Sequence, residues 1–150
     1  MGVEDGRLEE VLKLLESLSK GTKGGEFLAQ CMMGLQVLQV KKGLLRCGFL
    51  VTDRVSDENG NWEVGAMTSL MDVVGFCAAL TLVPAHSAIE LSISCISTPK
   101  INEKVEIEAK VVGEKEKLTS AVVETRRKAT NELIALGRLW MVSNIVTRKI

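Results

Sequence analysis

Apolar residues recur every three or four positions near the start of the chain, the spacing that places side chains on one face of an α-helix. They lie between Arg7 and Ser19 and are Leu8, Val11, Leu12, Leu15 and Leu18. The Gly-rich stretch from Gly21 to Gly25 follows, and glycine weakens a helix. The pattern predicts an amphipathic helix with a flexible joint behind it. We therefore expect two units, over residues 1–25 and residues 26–150.

The next part of the chain changes from short strands to one long apolar helix. From Gly34 to Thr52, β-branched and aliphatic residues are interrupted only by a short break, which indicates two short strands or one hairpin. The polar segment from Asp53 to Trp62 predicts a loop. A nearly continuous apolar run then predicts a helix that begins near Gly65, ends around Leu82 and is closed by Pro84.

The second half of the chain has the period-two pattern of β-strands. Four runs alternate or nearly alternate: Ala88 to Ile96, Val105 to Val112, Leu118 to Thr125 and Leu133 to Val142. We interpret them as an antiparallel meander. A helix that is apolar on every side can be buried here only if the sheet wraps around it. We therefore predict an α+β fold, in which a curved antiparallel sheet encloses a long central helix and an extra helix precedes it.

Composition and charge argue against several classes of partner. Of the 150 residues 46% are apolar, enough for one compact core. The 19 basic and 19 acidic side chains cancel and aromatic residues make up only 3%, so neither nucleic acid nor an anionic membrane surface is expected to bind. The apolar run from Ala66 to Val83 contains Asp72 and predicts a buried helix rather than a membrane span.

The cysteines bear on metal binding and on location. Four of them are widely spread, without a CxxC pair or a nearby histidine that would complete a zinc site: Cys31, Cys47, Cys77 and Cys95. We expect free thiols in a reducing compartment and no metal. The N-terminal segment MGVEDGRLEEVLKLL does not have the pattern of a secretory signal. An intracellular protein is expected, most simply cytoplasmic, with an organelle as the alternative.

Asp72 is the only ionisable residue between Ala66 and Val83. A buried carboxylate is costly unless it is paired or neutralised, so its presence needs an explanation. One is structural: the side chain reaches solvent or a backbone partner at a subunit boundary. The other is functional: burial raises the pKa of Asp72, and the carboxylate serves as a general base or nucleophile.

The segment WEVGAMTSLMD places a glycine at the start of the same helix. Free backbone N–H groups at Val64 and Gly65 could receive a developing oxyanion, although a tight turn into a helix would give the same pattern. At a rise of about 1.5 Å per residue, Gly65 and Asp72 lie roughly 10 Å apart, too far to act on one carbonyl carbon. If both serve one reaction, they must come from different protomers of a homo-oligomer.

The motif GNWEVGAMTSLMD, the turn STPK (Ser97 to Lys100) and the stretch KATNELIALGR (Lys128 to Arg138) resemble the hotdog-fold thioesterases. The similarity is to their acyl-CoA thioesterase 13-like branch, of the phenylacetate-pathway type, over about residues 45 to 142. It implies a hotdog fold and hydrolysis of a fatty or aromatic acyl-CoA to the free acid and CoA. It also implies a homodimer or homotetramer that uses no cofactor besides the CoA of its substrate.

Carried over by position, Asp72 falls on the catalytic acid of this family, and Glu63, Val64 and Gly65 fall on its His-Gly-Gly motif. Val64 keeps a backbone N–H for the oxyanion, whereas Glu63 places a carboxylate where the family has a histidine. The asparagine of the preceding loop corresponds to Asp57.

Further positions concern a serine and the binding of substrate. The serine of related enzymes falls near Ala88, beside Ser87. The basic run of Arg126, Arg127 and Lys128 is either a solvated hairpin turn or a contact for the phosphates of CoA. Two methionines of the apolar helix are candidates for contact with the acyl group, and they are Met67 and Met71.

Two other functions remain open. The altered His-Gly-Gly motif favours a non-catalytic hotdog protein that binds acyl-CoA or lipid. A hydratase or dehydratase of the same fold is a weaker alternative, because it would rely on an Asp and His pair that the chain does not offer at a suitable position.

Overall fold

The computed structural model describes residues 3–21, 25–83 and 86–143. Its helices are α1 (Val3–Ser19), α2 (Glu26–Met32) and α3 (Val64–Leu80), and a 3-10 turn covers Asp53–Val55. Its strands are β1 (Gln36–Lys41), β2 (Leu44–Leu50), β3 (His86–Cys95), β4 (Lys104–Lys115), β5 (Leu118–Arg127) and β6 (Leu133–Ser143). The predicted N-terminal helix, hairpin, central helix and four later strands are all confirmed, with ends shifted by a few residues.

The six strands form one antiparallel sheet in the order β1-β2-β4-β5-β6-β3. The predicted meander of four strands is therefore wrong in placing β3 beside β4. Strands β4, β5 and β6 do follow one another, but β3 pairs with β6 at the far edge, with Leu91 opposite Leu139. Since β3 and β4 are consecutive in the chain but not neighbours in the sheet, the segment between them crosses from one part of the sheet to another.

Helix α3 lies against one face of the curved sheet and contacts β2, β3, β4, β5 and β6. The side chains that face the sheet are fully buried, among them Leu70, Met71 and Val74. Close contact depends on glycine at Gly75, where an added Cβ would lie 3.0 Å from Val123 Cγ2 and 3.1 Å from Leu139 Cδ2. The helix is thus held as near to β5 and β6 as its backbone allows.

This close contact leads to a first prediction. Gly75→Leu should lower the free energy of unfolding by about 1–3 kcal/mol, because overpacking a filled core costs about that much. Gly65→Leu is the matched control: it lies in the same helix, and no heavy atom lies within 4 Å of its added Cβ. Urea unfolding followed by circular dichroism measures both. Equal stability of the two variants would contradict the close packing of α3.

The N-terminal helices add to the same core. Val11, Leu15 and Leu18 of α1 belong to the cluster of buried residues that contains Leu70 of α3. Helix α2, which the sequence did not predict, packs against α3 and buries Cys31. Part of the expected joint at Gly21 to Gly25 lies outside the described residues, and Pro84, expected to close α3, lies outside them as well. The division of the chain at residue 25 stays a prediction.

The cysteines and the helix lengths agree with what composition indicated. None of the four cysteines forms a disulfide, and only Cys95 is exposed. Within residues 3–21, 25–83 and 86–143, no helix has the length and apolar character needed to cross a membrane. The intracellular location stays a prediction.

Candidate active site

The start of α3 carries backbone N–H groups for which the described part of the chain provides no hydrogen-bond acceptor. Glu63 has extended backbone angles and caps the helix, and its carbonyl accepts the first helical hydrogen bond, from Met67 N at 2.9 Å. The N–H groups of Val64, Gly65 and Ala66 precede that bond and have no carbonyl one turn earlier to receive them. Such groups carry partial positive charge, so the helix start can bind an anionic oxygen.

The same helix start is open to approach. Glu63, Val64 and Gly65 are exposed, and the side chain of Val64 has a relative exposure of 59%. No heavy atom lies within 4 Å of a Cβ built on Gly65. A substrate oxygen can therefore reach the backbone at Gly65 without displacing a side chain.

The loop before α3 is held by its own hydrogen bonds. Asp57 Oδ1 accepts the backbone N–H groups of Asn59 at 2.9 Å and Asn61 at 3.0 Å. Trp62 is buried and its ring stacks on Phe49 with centroids 5.6 Å apart. The carboxylate of Asp57 thus stabilises this loop through two hydrogen bonds. A catalytic role for Asp57 stays a prediction.

Asp72 occupies a half-buried position in the middle of α3. Burial removes water from the carboxylate and raises the pKa of Asp72 above its usual value. Among the residues that the structure describes, Asp72 has no hydrogen-bond or ion-pair partner. A desolvated carboxylate that no neighbour occupies is able to accept a proton from a substrate or a water molecule.

Asp72 belongs to a stripe of residues on the side of α3 that faces away from the sheet. These residues are spaced by one, three or four positions and, apart from the exposed Gly65, are half-buried: Gly65, Thr68, Ser69, Asp72, Val73 and Phe76. We call them the outward stripe. Its members from Gly65 to Asp72 are small or polar, whereas Val73 and Phe76 are apolar, so the surface becomes apolar directly after Asp72.

Met67 and Met71 lie on the other side of the helix. Their side chains are buried in the core, with relative exposures of 3% and 0%. An acyl group could reach them only by displacing core packing. Within the outward stripe, the apolar residues that solvent does reach are Val73 and Phe76.

Two neighbouring elements border the outward stripe. One neighbour is the buried thiol of Cys31 from α2, which lies near Ser69 and Glu63. Burial is the main cause that raises the pKa of Cys31, and the charge of Glu63 raises it further. A hydrogen bond with Ser69 lowers this pKa. On the other side, Phe76 and Leu91 of β3 pack against the same buried cluster. Both α2 and β3 thus contact the helix that carries Asp72.

Solved structures share this architecture. Thioesterase superfamily member 2 from zebrafish is 22% identical over 91% of this chain and 98% of its own, with a TM-score of 0.82. The PaaI protein from the phenylacetic acid degradation operon of E. coli is 15% identical over 95% and 99%, with a TM-score of 0.75. This chain has the hotdog fold. No protein-family model and no curated protein matches its sequence.

A further hotdog structure contains a ligand. It is a hypothetical thioesterase with coenzyme A from Streptococcus pneumoniae, 14% identical over 77% of this chain and 89% of its own, with a TM-score of 0.71. The fold expected from GNWEVGAMTSLMD is confirmed by these three structures. This similarity of fold does not identify the residues that act in the site.

Within one hotdog subunit, Gly65 and Asp72 do not converge. Both belong to α3, and seven residues at about 1.5 Å each separate them by roughly 10 Å. Ser87 of β3 pairs with Val142 of β6, and paired residues point to the same face of a sheet. Because Val142 is next to the buried Met141, Ser87 and Met141 point to opposite faces. Ala88, opposite Met141, occupies the face toward α3. The structure therefore does not bring Ser87 together with Asp72 in one chain.

The basic run at the end of β5 is neutralised by carboxylates. Arg126 lies 3.3 Å from Glu124, and Lys128 lies 3.7 Å from Glu106. Together with Arg127 and three glutamates, both cations line a cleft of about 290 Å³ on the outer face of the sheet. Contact with the phosphates of CoA stays a prediction for this run, and a phosphate there would compete with existing ion pairs.

Arg127 differs from its two neighbours because it points into a network of loop residues, with a side-chain exposure of 18%. Its main partner is Glu103, which sequence reasoning missed. Glu103 lies 24 positions earlier in an exposed turn, where neither periodicity nor a motif distinguishes it from other surface glutamates.

Proposed function

We propose that this chain is an acyl-CoA thioesterase whose active site is completed by two copies. The observation that carries the proposal is Asp72, a half-buried carboxylate with a raised pKa on the outward stripe of a hotdog fold. A carboxylate in a surface helix would normally be solvated, and one in a core helix would be paired. Asp72 is neither, which is the situation expected of a catalytic base.

The second contributor to the site is the start of α3 from the neighbouring copy. Its N–H groups at Val64 and Gly65 would bind the carbonyl oxygen of the thioester and stabilise the negative charge that develops there. In one route, Asp72 takes a proton from water as the water oxygen attacks the carbonyl carbon; the C–S bond breaks, the CoA sulfur takes that proton, and the acid and CoA leave. In the other, the Asp72 carboxylate attacks the carbonyl carbon, the C–S bond breaks and CoA leaves as the thiolate; water then hydrolyses the mixed anhydride, which releases the acid, restores Asp72 and supplies the proton for the CoA sulfur.

The edge strand β3 supports the participation of a second copy. It is the last strand of the sheet, so one row of its backbone N–H and C=O groups is available for pairing. Ile89 in β3 and Ile96 just after it have exposed fractions of 58% and 60%. Apolar side chains exposed along an open sheet edge are typical of a subunit interface. We infer a homodimer, or a homotetramer built from two such dimers.

The substrate class follows from similar folds and from the surface beside Asp72. A hotdog structure with coenzyme A, from S. pneumoniae, supports acyl-CoA as the ligand. Val73 and Phe76 would offer an apolar surface to a fatty or aromatic acyl group. Water, Asp72 and backbone N–H groups suffice for the proposed chemistry, and the expectation of no cofactor stays a prediction.

The decisive experiment is a hydrolysis assay. Purified protein is mixed with acyl-CoAs of increasing aliphatic chain length and with phenylacetyl-CoA, and released CoA thiol is measured. Turnover that depends on the acyl group supports the proposal. Tight binding of the same acyl-CoAs by calorimetry, with no CoA released, would instead establish the non-catalytic alternative.

The alternative of a non-catalytic acyl-CoA or lipid-binding protein rests on Glu63. This exposed residue caps α3 directly before the proposed oxyanion-binding groups. An ionised carboxylate there would repel the negative charge of a thioester oxyanion. A site that binds acyl-CoA would tolerate Glu63 better than a site that must stabilise the transition state.

A second prediction uses this position. Glu63→His should raise kcat/KM about tenfold, because a repelling carboxylate is replaced by a donor and one oxyanion donor is typically worth 10²–10³ in rate. Glu63→Gln removes the charge alone and should give a smaller increase. Both are measured with the acyl-CoA that the wild type hydrolyses best. A tenfold fall in the two variants would show that Glu63 has a catalytic task of its own.

A further inference from the structure

Arg127 at the end of β5 joins three parts of the chain. Its guanidinium donates to Glu103, to Glu132 Oε1 at 2.9 Å, to Ser97 Oγ at 2.7 Å and to the Thr98 carbonyl at 3.3 Å. The hydrogen bond from Arg127 is the main reason why the pKa of Glu103 lies below its usual value. Every nitrogen of this guanidinium is therefore already in use.

The turn over residues 97–103 is the structure that Arg127 holds. Glu103 reinforces it, since Glu103 Oε1 accepts the backbone N–H of Lys100 at 2.6 Å and its own N–H donates to the Lys100 carbonyl at 3.0 Å. Ser97 and Thr98 at the beginning of the turn are bound by Arg127 itself. The guanidinium thus joins the two ends of one turn.

The turn over residues 97–103 also holds the loop before α3. Ile101 N donates to the Gly60 carbonyl at 2.9 Å, Trp62 N donates to the Pro99 carbonyl at 2.9 Å, and Lys100 Nζ donates to Asn61 Oδ1 at 2.8 Å. Gly60, Asn61 and Trp62 are therefore each bound to the turn that Arg127 braces.

The loop leads without interruption into the helix start. Trp62 is followed by Glu63, whose N–H donates to the Val55 carbonyl at 2.8 Å, and Val64 is the first residue of α3. A shift of the turn would move Trp62, and with it the direction in which the N–H groups of Val64 and Gly65 point.

From this chain of contacts we propose that Arg127 is a positioning residue, which sets the orientation of the oxyanion-binding start of α3 through the turn over residues 97–103. The inference rests on the proposed function for its catalytic consequence. It replaces a role in binding the phosphates of CoA, because four of the five N–H donors of the guanidinium are already used by Glu103, Glu132, Ser97 and Thr98.

The kinetic test compares variants of three arginines, each assayed with two substrates. Arg127→Gln should lower kcat about tenfold or more with acyl-CoA, and equally with the acyl N-acetylcysteamine thioester, which lacks the nucleotide. KM should change less than about twofold, since small misplacements of catalytic groups cost rate rather than binding. Arg138→Gln, at an exposed position on β6, is the control and should change neither constant.

Arg126→Gln tests the competing role in the same assay. If the basic run binds the phosphates of CoA, this variant and Arg127→Gln should both raise KM for acyl-CoA and leave the truncated thioester unaffected. That result for Arg127 would overturn the proposal.

Two further variants keep the test valid if Arg127→Gln does not fold. Arg127→Lys retains the charge but cannot make the same set of directed hydrogen bonds, so it should restore kcat only in part. Glu103→Gln should lower kcat in the same way. The double variant of Arg127 and Glu103 should be no slower than the worse single variant, because the two residues act through one network. Additive losses would contradict this arrangement.

A measurement without turnover separates this inference from the proposed function. Hydrogen–deuterium exchange should become faster in the segment over residues 57–67 in Arg127→Gln, and stay unchanged there in Arg138→Gln. If the wild type hydrolyses no acyl-CoA, exchange alone decides whether Arg127 orders the helix start. Unchanged exchange together with unchanged kcat would show that Arg127 does not position α3.

Discussion

Asp72→Asn should lower thioester hydrolysis at least about a hundredfold, because general-base or nucleophilic action is typically worth that much or more. The amide keeps the size of the carboxylate but cannot accept a proton at neutral pH. The measurement is kcat/KM with the preferred acyl-CoA. Asp53→Asn, at an exposed position in the 3-10 turn, is the matched control and should retain full activity. Near-native activity of a folded Asp72→Asn variant would remove Asp72 from the mechanism.

Stability gives an independent check on the same variant. Burial raises the pKa of Asp72, so stability begins to fall as the pH rises above the ordinary pKa of an aspartate, and the full loss is present above the raised pKa. Asp72→Asn should therefore melt at a higher temperature than the wild type at neutral pH. The difference should vanish as the pH falls below the ordinary pKa of an aspartate, where both side chains are neutral. A lower melting temperature at neutral pH would contradict the desolvation of Asp72.

Mixing two inactive variants should restore up to about a quarter of wild-type activity. One variant is Asp72→Asn, and the other is Gly65→Leu, whose added side chain enters open space and covers the helix N–H groups. Half of the dimers formed at random contain one copy of each. Each of these hybrids has one site with both lesions and one with neither.

Subunit exchange must be demonstrated in the same mixture, for example by energy transfer between labelled copies. Activity that remains absent although exchange is complete would rule out a site shared between Val64–Gly65 of one copy and Asp72 of another. The catalytic base would then have to lie closer to the helix start within one chain, and Asp57 in the preceding loop would be the next residue to test.

The elements of the fold could be predicted more fully than their arrangement. Period-two alternation marked β4, β5 and β6 because each of these strands has one buried face. The pairing of β3 with β6 joins segments that are distant in the chain, and no local pattern records it. Helix α2 was missed because seven residues are too few for a helical period to be recognised.

The candidate site was predictable to the extent that single residues stood out. Asp72 did so because it is a charge in an apolar helix. Which side of that helix faces outward could not be predicted, since apolar residues surround it, and the methionines expected at the substrate lie in the core. The role of Arg127 depends on a partner 24 positions away, which no spacing rule could identify.

The position of β3 at the sheet edge beside β6 has a consequence for the order of events during synthesis. Strand β3 leaves the ribosome directly after α3, but β6, the strand with which it pairs, is made only after β4 and β5. Until Leu133–Ser143 has emerged, β3 has no place in the sheet, and the edge that would meet a second copy does not exist. Association of two nascent chains through this edge, as proposed above, would thereby be delayed until each chain can fold.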